Sequence, residues 1–257
     1  MQTPKAKKSL GQHFLRRQST AERIVQLLEI GPQDRVLEIG PGPGALSGLL
    51  RAAKPACLLL LEKDGYWAAA RQKAGDGQVV LMDALHFAWS RITPEQPWKI
   101  IGNLPYNVAS PLLWDIASQA TGLQRAVCMV QKEVALRIVA SPDTKNYGAL
   151  SVWLQSFLQP RLAFTVGAEA FTPAPKVDSA VVAFTPLPPA ERARRPEPLA
   201  ALLKICFQNR RKQLRSIFRM HKREAALPVL QTLGIDPRAR PEHLAPKLFQ
   251  ELSARLY

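Results

Sequence analysis

Cysteine is scarce and scattered. Cys57, Cys128 and Cys206 are the only three in 257 residues, which supplies neither the paired set of a disulfide framework nor a C-x-x-C metal or redox site. No metal centre is expected, and a reducing compartment is the simplest setting. Long apolar runs are missing as well: no stretch of about 18 uninterrupted apolar residues exists, and the basic N-terminus has no apolar stretch behind it of signal-peptide type. The expectation is a soluble, cytoplasmic chain with no membrane partner, acting as a monomer. Internal repeats and long low-complexity segments are also lacking. What is present, 47% hydrophobic residues over this length, suffices for one large α/β domain with a small appendage, or for a single large domain.

Acids are missing where bases collect. Residues 1–17 hold Lys5, Lys7, Lys8, Arg16 and Arg17 with no acid, and residues 191–257 hold 15 Lys and Arg against 6 Asp and Glu. The 173 residues between them carry 15 against 14, so the net charge of +15 sits at the two ends. A polyanion touching both ends, bound through phosphate neutralisation and counterion release, is the partner this pattern suggests. A merely well-solvated surface would give the same total but no reason for the segregation.

Periodicity supplies the architecture. Ser19 followed by Glu22 predicts a capping box for a helix whose apolar face is Ile24, Leu27 and Leu28. The period then changes: 35–39, 57–61, 78–82, 98–101 and 125–130 are short, mostly apolar runs, too continuous for half-exposed strands. They read as buried, largely parallel strands. Helical stretches at 45–53, 66–74 and 111–119 lie between them, the last with Ser110 as N-cap and Pro111 in the first helical position. This βαβ alternation predicts a doubly wound sheet. Segments 132–139 and 147–158 read as helices, and 161–166 and 180–185 as strands completing the sheet as a hairpin. Pro186, Pro188, Pro189, Pro196 and Pro198, interleaved with Arg192, Arg194 and Arg195, mark a boundary. Four helices are expected beyond it, at 199–207, 212–218, 225–233 and 241–256. The expected division is a basic segment over 1–17, an α/β domain over 18–187, and a Pro-rich linker with a small basic helical domain over 188–257.

The first strand runs into Gly40-Pro41-Gly42-Pro43-Gly44, a glycine-rich turn where a ligand can approach the backbone closely. With Ala45 the stretch satisfies a loose G-x-G-x-x-A dinucleotide fingerprint, so chemistry must separate the candidates. Glu38 places a carboxylate just before the turn, where it would repel phosphates but suit a ligand carrying ammonium and sulfonium charge. Pro41 and Pro43 remove two N–H donors that a phosphate cradle would want. S-adenosylmethionine therefore fits Gly40 and Gly42 better than a nicotinamide dinucleotide does. Glu62 closes the second strand, 22 residues after Gly40, in the place where an acid accepts from ribose hydroxyls. Asp83 closes the third and, with Ala84, is placed to meet an adenine edge. Singly, each acid is as well explained as a solvated strand end. Three of them ending successive strands beside a glycine turn converge on one crevice.

Gly102-Asn103-Leu104-Pro105-Tyr106 follows the fourth strand, in the region where open α/β sheets bind ligands. An adenine's exocyclic amine is a poor nucleophile because its lone pair is delocalised into the ring, and hydrogen-bond acceptors are the natural remedy. If the Asn103 side-chain oxygen and the Leu104 carbonyl take the two amine hydrogens, the nitrogen becomes pyramidal with its lone pair aimed at a sulfonium methyl. Pro105 would fix the loop and Tyr106 would stack on an extruded base. An isolated Asn-x-Pro-Tyr would more simply be a turn with a core tyrosine; its position after the glycine turn and the acids favours chemistry.

With these residues in place, the chain resembles the KsgA/RsmA family of small-subunit ribosomal RNA adenine dimethyltransferases. The resemblance runs from Lys7-Lys8-Ser9-Leu10-Gly11-Gln12-His13-Phe14-Leu15 through the glycine turn and Asn103 to Tyr106. It continues in Phe171-Thr172-Pro173-Ala174-Pro175-Lys176-Val177-Asp178-Ser179 and in Asn209-Arg210-Arg211-Lys212-Gln213-Leu214-Arg215. It implies a Rossmann-like, mostly parallel seven-stranded sheet of the class I methyltransferase type with a small C-terminal all-α domain. It also implies S-adenosylmethionine as cofactor, and transfer of four methyl groups to two adjacent adenosines near the 3′ end of 16S rRNA in the immature small subunit. Family cofactor positions fall on His13, Leu15, Gly40, Glu62, Asp83 and Asn103, and Phe171 matches a second aromatic that would sandwich the target base against Tyr106. Gly65-Tyr66-Trp67 departs from the family's usual helix start. Lys7, Lys8 and the runs 209–215 and 219–223, with Arg210, Arg211, Lys212 and Arg215, would face RNA phosphates, the latter two along one helix face. Three rivals remain: a 23S rRNA adenine methyltransferase of the macrolide-resistance type, which usually resembles Asn-Ile-Pro-Tyr where Leu104 stands here; a catalytically idle RNA-binding assembly factor, against which Asn103–Tyr106 is intact; and a nicotinamide-dependent oxidoreductase.

Overall fold

In chain order the first elements of the computed structural model, which describes residues 12–257, are a short strand β1 (Phe14–Leu15) and a helix α1 (Gln18–Gln26). The expected alternation follows: β2 (Arg35–Ile39), α2 (Ser47–Ala52), β3 (Cys57–Glu62), α3 (Gly65–Ala74), β4 (Gln78–Leu81), β5 (Trp98–Asn103), α4 (Ala109–Gln119) and β6 (Leu123–Gln131). Helices α5 (Lys132–Ile138) and α6 (Ala149–Gln155) come next, then β7 (Leu158–Val166), the two-residue β8 (Phe171–Thr172) and β9 (Ser179–Pro186). Four helices end the chain: α7 (Pro196–Gln208), α8 (Leu214–Met220), α9 (Ala226–Thr232) and α10 (Pro246–Leu256). Among the described residues no helix is long and apolar enough to cross a membrane.

Seven strands make one sheet in the order β4-β3-β2-β5-β6-β9-β7. The pairs β3/β4, β2/β3, β2/β5 and β5/β6 are parallel and β6/β9 is antiparallel. The continuous apolar runs are explained by burial on both faces: in β6, every residue from Ala126 to Val130 is at most 1% exposed. The strand order reverses between β2 and β5, and their carboxyl ends therefore open a crevice at a topological switch point. Gly102 lets the two strands close up there, because a Cβ at this position would stand 2.8 Å from the Ile39 carbonyl oxygen.

Two helix starts differ from expectation. α1 begins a residue before Ser19, with Arg17 as its cap and its carbonyl taking the N–H groups of Thr20 and Ala21. Glu22 is not part of a capping box; it accepts from Gln18 Nε2 at 3.1 Å. α4 begins at Ala109 rather than Pro111 because the Pro105 carbonyl takes the N–H groups of Val108 and Ala109, each at 3.1 Å, so Ser110 lies inside the helix. The helix expected over 147–158 is confined to α6, which a turn at Ser156 and Phe157 joins to β7.

The described chain divides into two compact units, one comprising the residues up to Ala135 with Arg161–Pro186, the other Leu136–Pro160 with Leu187–Tyr257. Residues 136–160, expected in the α/β domain, thus group with the C-terminal helices. Packing explains this: α6 lies against α7 and α10, burying Val152, Trp153 and Leu154. The buried Tyr147 hydroxyl donates to the Leu244 carbonyl at 2.7 Å.

Candidate active site

The cleft at the switch point is built first from the glycine turn. Gly40, Gly42 and Gly44 have φ of 64°, 49° and 94°, a region that L side chains rarely adopt. The turn is tied to the end of β3 by Glu62, whose Oε2 accepts the Gly42 N–H at 2.9 Å while Oε1 accepts that of Asp64 at 2.8 Å. Burial pushes the Glu62 carboxyl above its ordinary range, against the pull of these N–H groups. The Lys63 N–H also bonds this carboxylate, so its lone pairs are only partly free for a ligand hydroxyl. At the end of β4, Asp83 accepts from Lys63 Nζ at 2.7 Å and from the Leu85 N–H at 3.1 Å. Burial works to raise its carboxyl, but Lys63 and the N–H outweigh it and hold Asp83 below the usual carboxylate range. Gly40, Gly42, Glu62, Asp83 and Ala84 all line the cleft.

Glu38 does not line it. The carboxyl is buried, 1% exposed, and its Oε2 accepts from Ser47 Oγ at 2.7 Å, the hydroxyl coming from the first residue of α2. Burial pushes its pKa up to about 8, helped by the nearby charges of Asp76 and Glu62 and opposed by Ser47 and Arg71. The charged contact with a ligand expected of Glu38 is not what the geometry shows: its carboxyl lies beneath the turn on Ser47, outside the cleft lining.

Asn103 ends β5, and the Leu104 N–H continues the pairing with β6 by donating to the Met129 carbonyl at 3.0 Å. The Asn103 side chain places Nδ2 2.9 Å from the His13 carbonyl oxygen. Because a carbonyl can only accept, the amide nitrogen must face His13, which leaves Oδ1 turned the other way as an acceptor. Tyr106 shares a hydrogen bond of 2.7 Å with Ser179 Oγ, and burial keeps its hydroxyl above the usual phenol range, with the Ser179 bond opposing. Its ring stacks on His13 with centroids 5.4 Å apart and an interplanar angle of 24°.

His13 joins the remaining pieces. Its Nδ1–H donates to the Pro173 carbonyl at 2.8 Å, and the flanking strands pair antiparallel, Phe14 with Thr172 and Leu15 with Phe171. Segments more than 150 residues apart thus meet beside Asn103 and Tyr106. That pairing also places Phe171. At 4% exposed it lies in the same apolar cluster as Leu15, Ile24 and Met129, outside the cleft lining. The ring facing Tyr106 belongs to His13. Leu15, 6% exposed, is likewise core. Lys63, Met82 and Leu85 line the cleft without having been singled out; the only sequence signal for them is adjacency to Glu62 and Asp83.

The basic residues separate in the structure. Lys7 and Lys8 lie outside the described residues. α7 ends at Gln208, so 209–213 form a turn and only Arg215 stands on α8; the single helix face expected for 209–215 is corrected. Arg210 is engaged internally, its Nε donating to Glu242 at 2.6 Å and Nη2 to the Thr144 carbonyl at 3.3 Å. Arg211, Lys212 and Arg215 are exposed.

The family model for ribosomal RNA adenine dimethylase matches residues 3–256. The chain belongs to the ribosomal RNA adenine dimethylase family. A relative from Nitratidesulfovibrio vulgaris, named ribosomal RNA small subunit methyltransferase A, is 57% identical over 251 residues, covering 96% of this chain and 94% of that protein. Another of the same name from Oleidesulfovibrio alaskensis is 52% identical over 255 residues, covering 97% and 91%. Among solved structures, a dimethyladenosine transferase from Plasmodium falciparum superposes with a TM-score of 0.81 at 26% identity, covering 93% of this chain and 96% of that one. The 23S rRNA methyltransferase ErmE gives 0.68 at 26% identity, covering 95% and 99%. The dimethylase family is one of methyltransferases on this mostly parallel seven-stranded sheet, and the oxidoreductase alternative ends here.

Proposed function

We propose that this chain uses S-adenosylmethionine to dimethylate adenines in small-subunit ribosomal RNA, at two adjacent adenosines near the 3′ end of 16S rRNA in an immature particle in the cytoplasm. The observation that carries the reading is the Asn103 amide, whose orientation is dictated by the His13 carbonyl so that its oxygen is presented as an acceptor at the end of β5. The cleft suits the donor: a turn with close backbone approach, an acid at the end of β3, a second acid at the end of β4, and apolar Ile39, Leu61 and Leu85 between. Gly40, Gly42, Glu62, Asp83 and Ala84 would hold it, with His13 alongside. When bound, the donor supplies a methyl group already activated by its sulfonium.

The chain's own residues then do the rest. Asn103 Oδ1 and the Leu104 carbonyl accept the two hydrogens of the adenine amine, concentrating its lone pair on one side. Tyr106 offers a ring for the extruded base, held by Ser179. The names and identities of the small-subunit relatives, set against 26% identity to ErmE, favour the small subunit over 23S rRNA. The test is methyl transfer from labelled donor into undermethylated small or large subunits. Label is expected in the small subunit alone; label in the large subunit, or in neither, would overturn the proposal.

The helical unit is the proposed phosphate-binding surface, through Arg211, Lys212 and Arg215. Replacing these three by Gln is expected to weaken particle binding and to lower the slope of log affinity against log salt by about 2–3. Arg210→Gln should instead reduce thermal stability, by freeing Glu242, and leave that slope nearly unchanged. Titrations at several salt concentrations check both, and an unaltered slope in the triple variant would count against this surface.

A further inference from the structure

A charged cluster around the buried Asp76, not used by the proposed reaction, lies beside the glycine turn. Arg71, on α3, donates through Nη1 to Asp76 Oδ2 at 2.7 Å, the two side chains being 15% and 4% exposed. Gly75, with φ 67°, reverses the chain at the end of α3, and this brings the Asp76 carboxylate back to an arginine five positions earlier. Arg51 of α2 reaches the other oxygen of Asp76 at 3.4 Å. The guanidinium occupies the space where a side chain on Gly44 would begin: a Cβ there would lie 1.8 Å from Nη1 and 2.8 Å from Cζ. Arg71 Nε is buried with no hydrogen-bond partner, a cost that packing alone does not explain.

We infer that Arg71 is a positioning residue for the donor-binding turn, its guanidinium, clamped by Asp76, fixing where the Gly40–Gly44 backbone stands. This rests on the donor site proposed above. The third glycine of the turn is then required twice over, by its positive φ and by the guanidinium against it. The first turn contacts are limited from another element as well, since a Cβ on Gly42 would meet the Phe14 ring at 3.1 Å. A backbone held at two points by side chains from β1 and α3 is preorganised, and preorganisation is read in ligand affinity more than in the chemical step.

The test uses the full chain and two readouts, donor affinity by calorimetry with S-adenosylmethionine and turnover on undermethylated small subunits. Arg71→Ala should raise the donor Kd and KM about tenfold, while kcat at saturating donor and the KM for the particle change far less. Arg71→Lys, which keeps a charge toward Asp76 but not the planar group, should recover part of the affinity. Gly44→Ala should also bind donor poorly, and Gly44→Ala with Arg71→Ala should bind it better than Gly44→Ala alone, because the new methyl then has room. A generic structural loss would make the two changes add. A donor Kd for Arg71→Ala within about twofold of wild type, or a double variant weaker than both singles, overturns the inference. Should Arg71→Ala not fold, Arg71→Lys decides: a raised Kd at unchanged melting temperature supports it, an unchanged Kd sinks it. Failure of the wild-type chain to bind the donor would instead fall on the donor assignment.

Discussion

Asn103→Ala is expected to lower single-turnover methyl transfer roughly a thousandfold, while the donor Kd rises by no more than about tenfold. The two effects come from two ends of one amide. Losing Oδ1 removes an acceptor for the adenine amine, and acceptors aimed at developing charge act where water is excluded and no reorganisation is needed. Losing Nδ2 frees the His13 carbonyl, to which it donates at 2.9 Å, and so loosens the segment lining the cleft. Asn103→Asp is nearly isosteric, yet it should fail as well, because a carboxylate cannot donate to His13 and is repelled by its carbonyl. Turnover unchanged in Asn103→Ala would refute the acceptor role. Donor binding lost in step with turnover would show that holding His13 is the residue's main task.

How far the site was legible in the sequence depends on how far apart the interacting residues lie. The strands of the sheet announced themselves because both faces of β5 and β6 are covered and their runs are continuously apolar. Glu62, Asp83 and Asn103 followed, since a parallel strand's carboxyl end is where a switch-point ligand sits. What escaped depends on long-range pairing. Nothing near Phe171 in the sequence shows that it pairs opposite Leu15, or that His13 stacks on Tyr106. Arg210 looked like a phosphate contact because nothing local reveals Glu242, 32 positions on. The helix at Ala149–Gln155 carries no mark of its partners, and only its packing on α7 and α10 groups it with the C-terminal helices. Glu38 is the sharpest case. A carboxylate beside a glycine turn suggests charge, but whether it is charged is decided by which face α2 covers.

Glu38→Gln should flatten the decline of stability with rising pH and leave donor binding intact. The folded protein holds the Glu38 proton to about 8, whereas the ordinary value is 4.5. Between these pH values the unfolded chain releases the proton and the folded chain keeps it, so the unfolded state binds fewer protons and stability falls as pH rises, levelling off above about 8. Glutamine has no proton to lose, and its Oε1 can take the Ser47 hydroxyl in place of the carboxyl oxygen. The gap between variant and wild type should therefore widen in the variant's favour across the window, by a few kcal/mol at its upper end, since each pKa unit is worth about 1.4 kcal/mol. An unsatisfied amide N–H offsets part of this at every pH, costing about 1–3 kcal/mol, so the decisive quantity is the difference in slope between melting profiles at pH 5 and pH 8. Parallel profiles would mean that Glu38 ionises normally. A weakened donor Kd at constant stability would restore a charged contact with the donor, and with it the role the sequence first suggested.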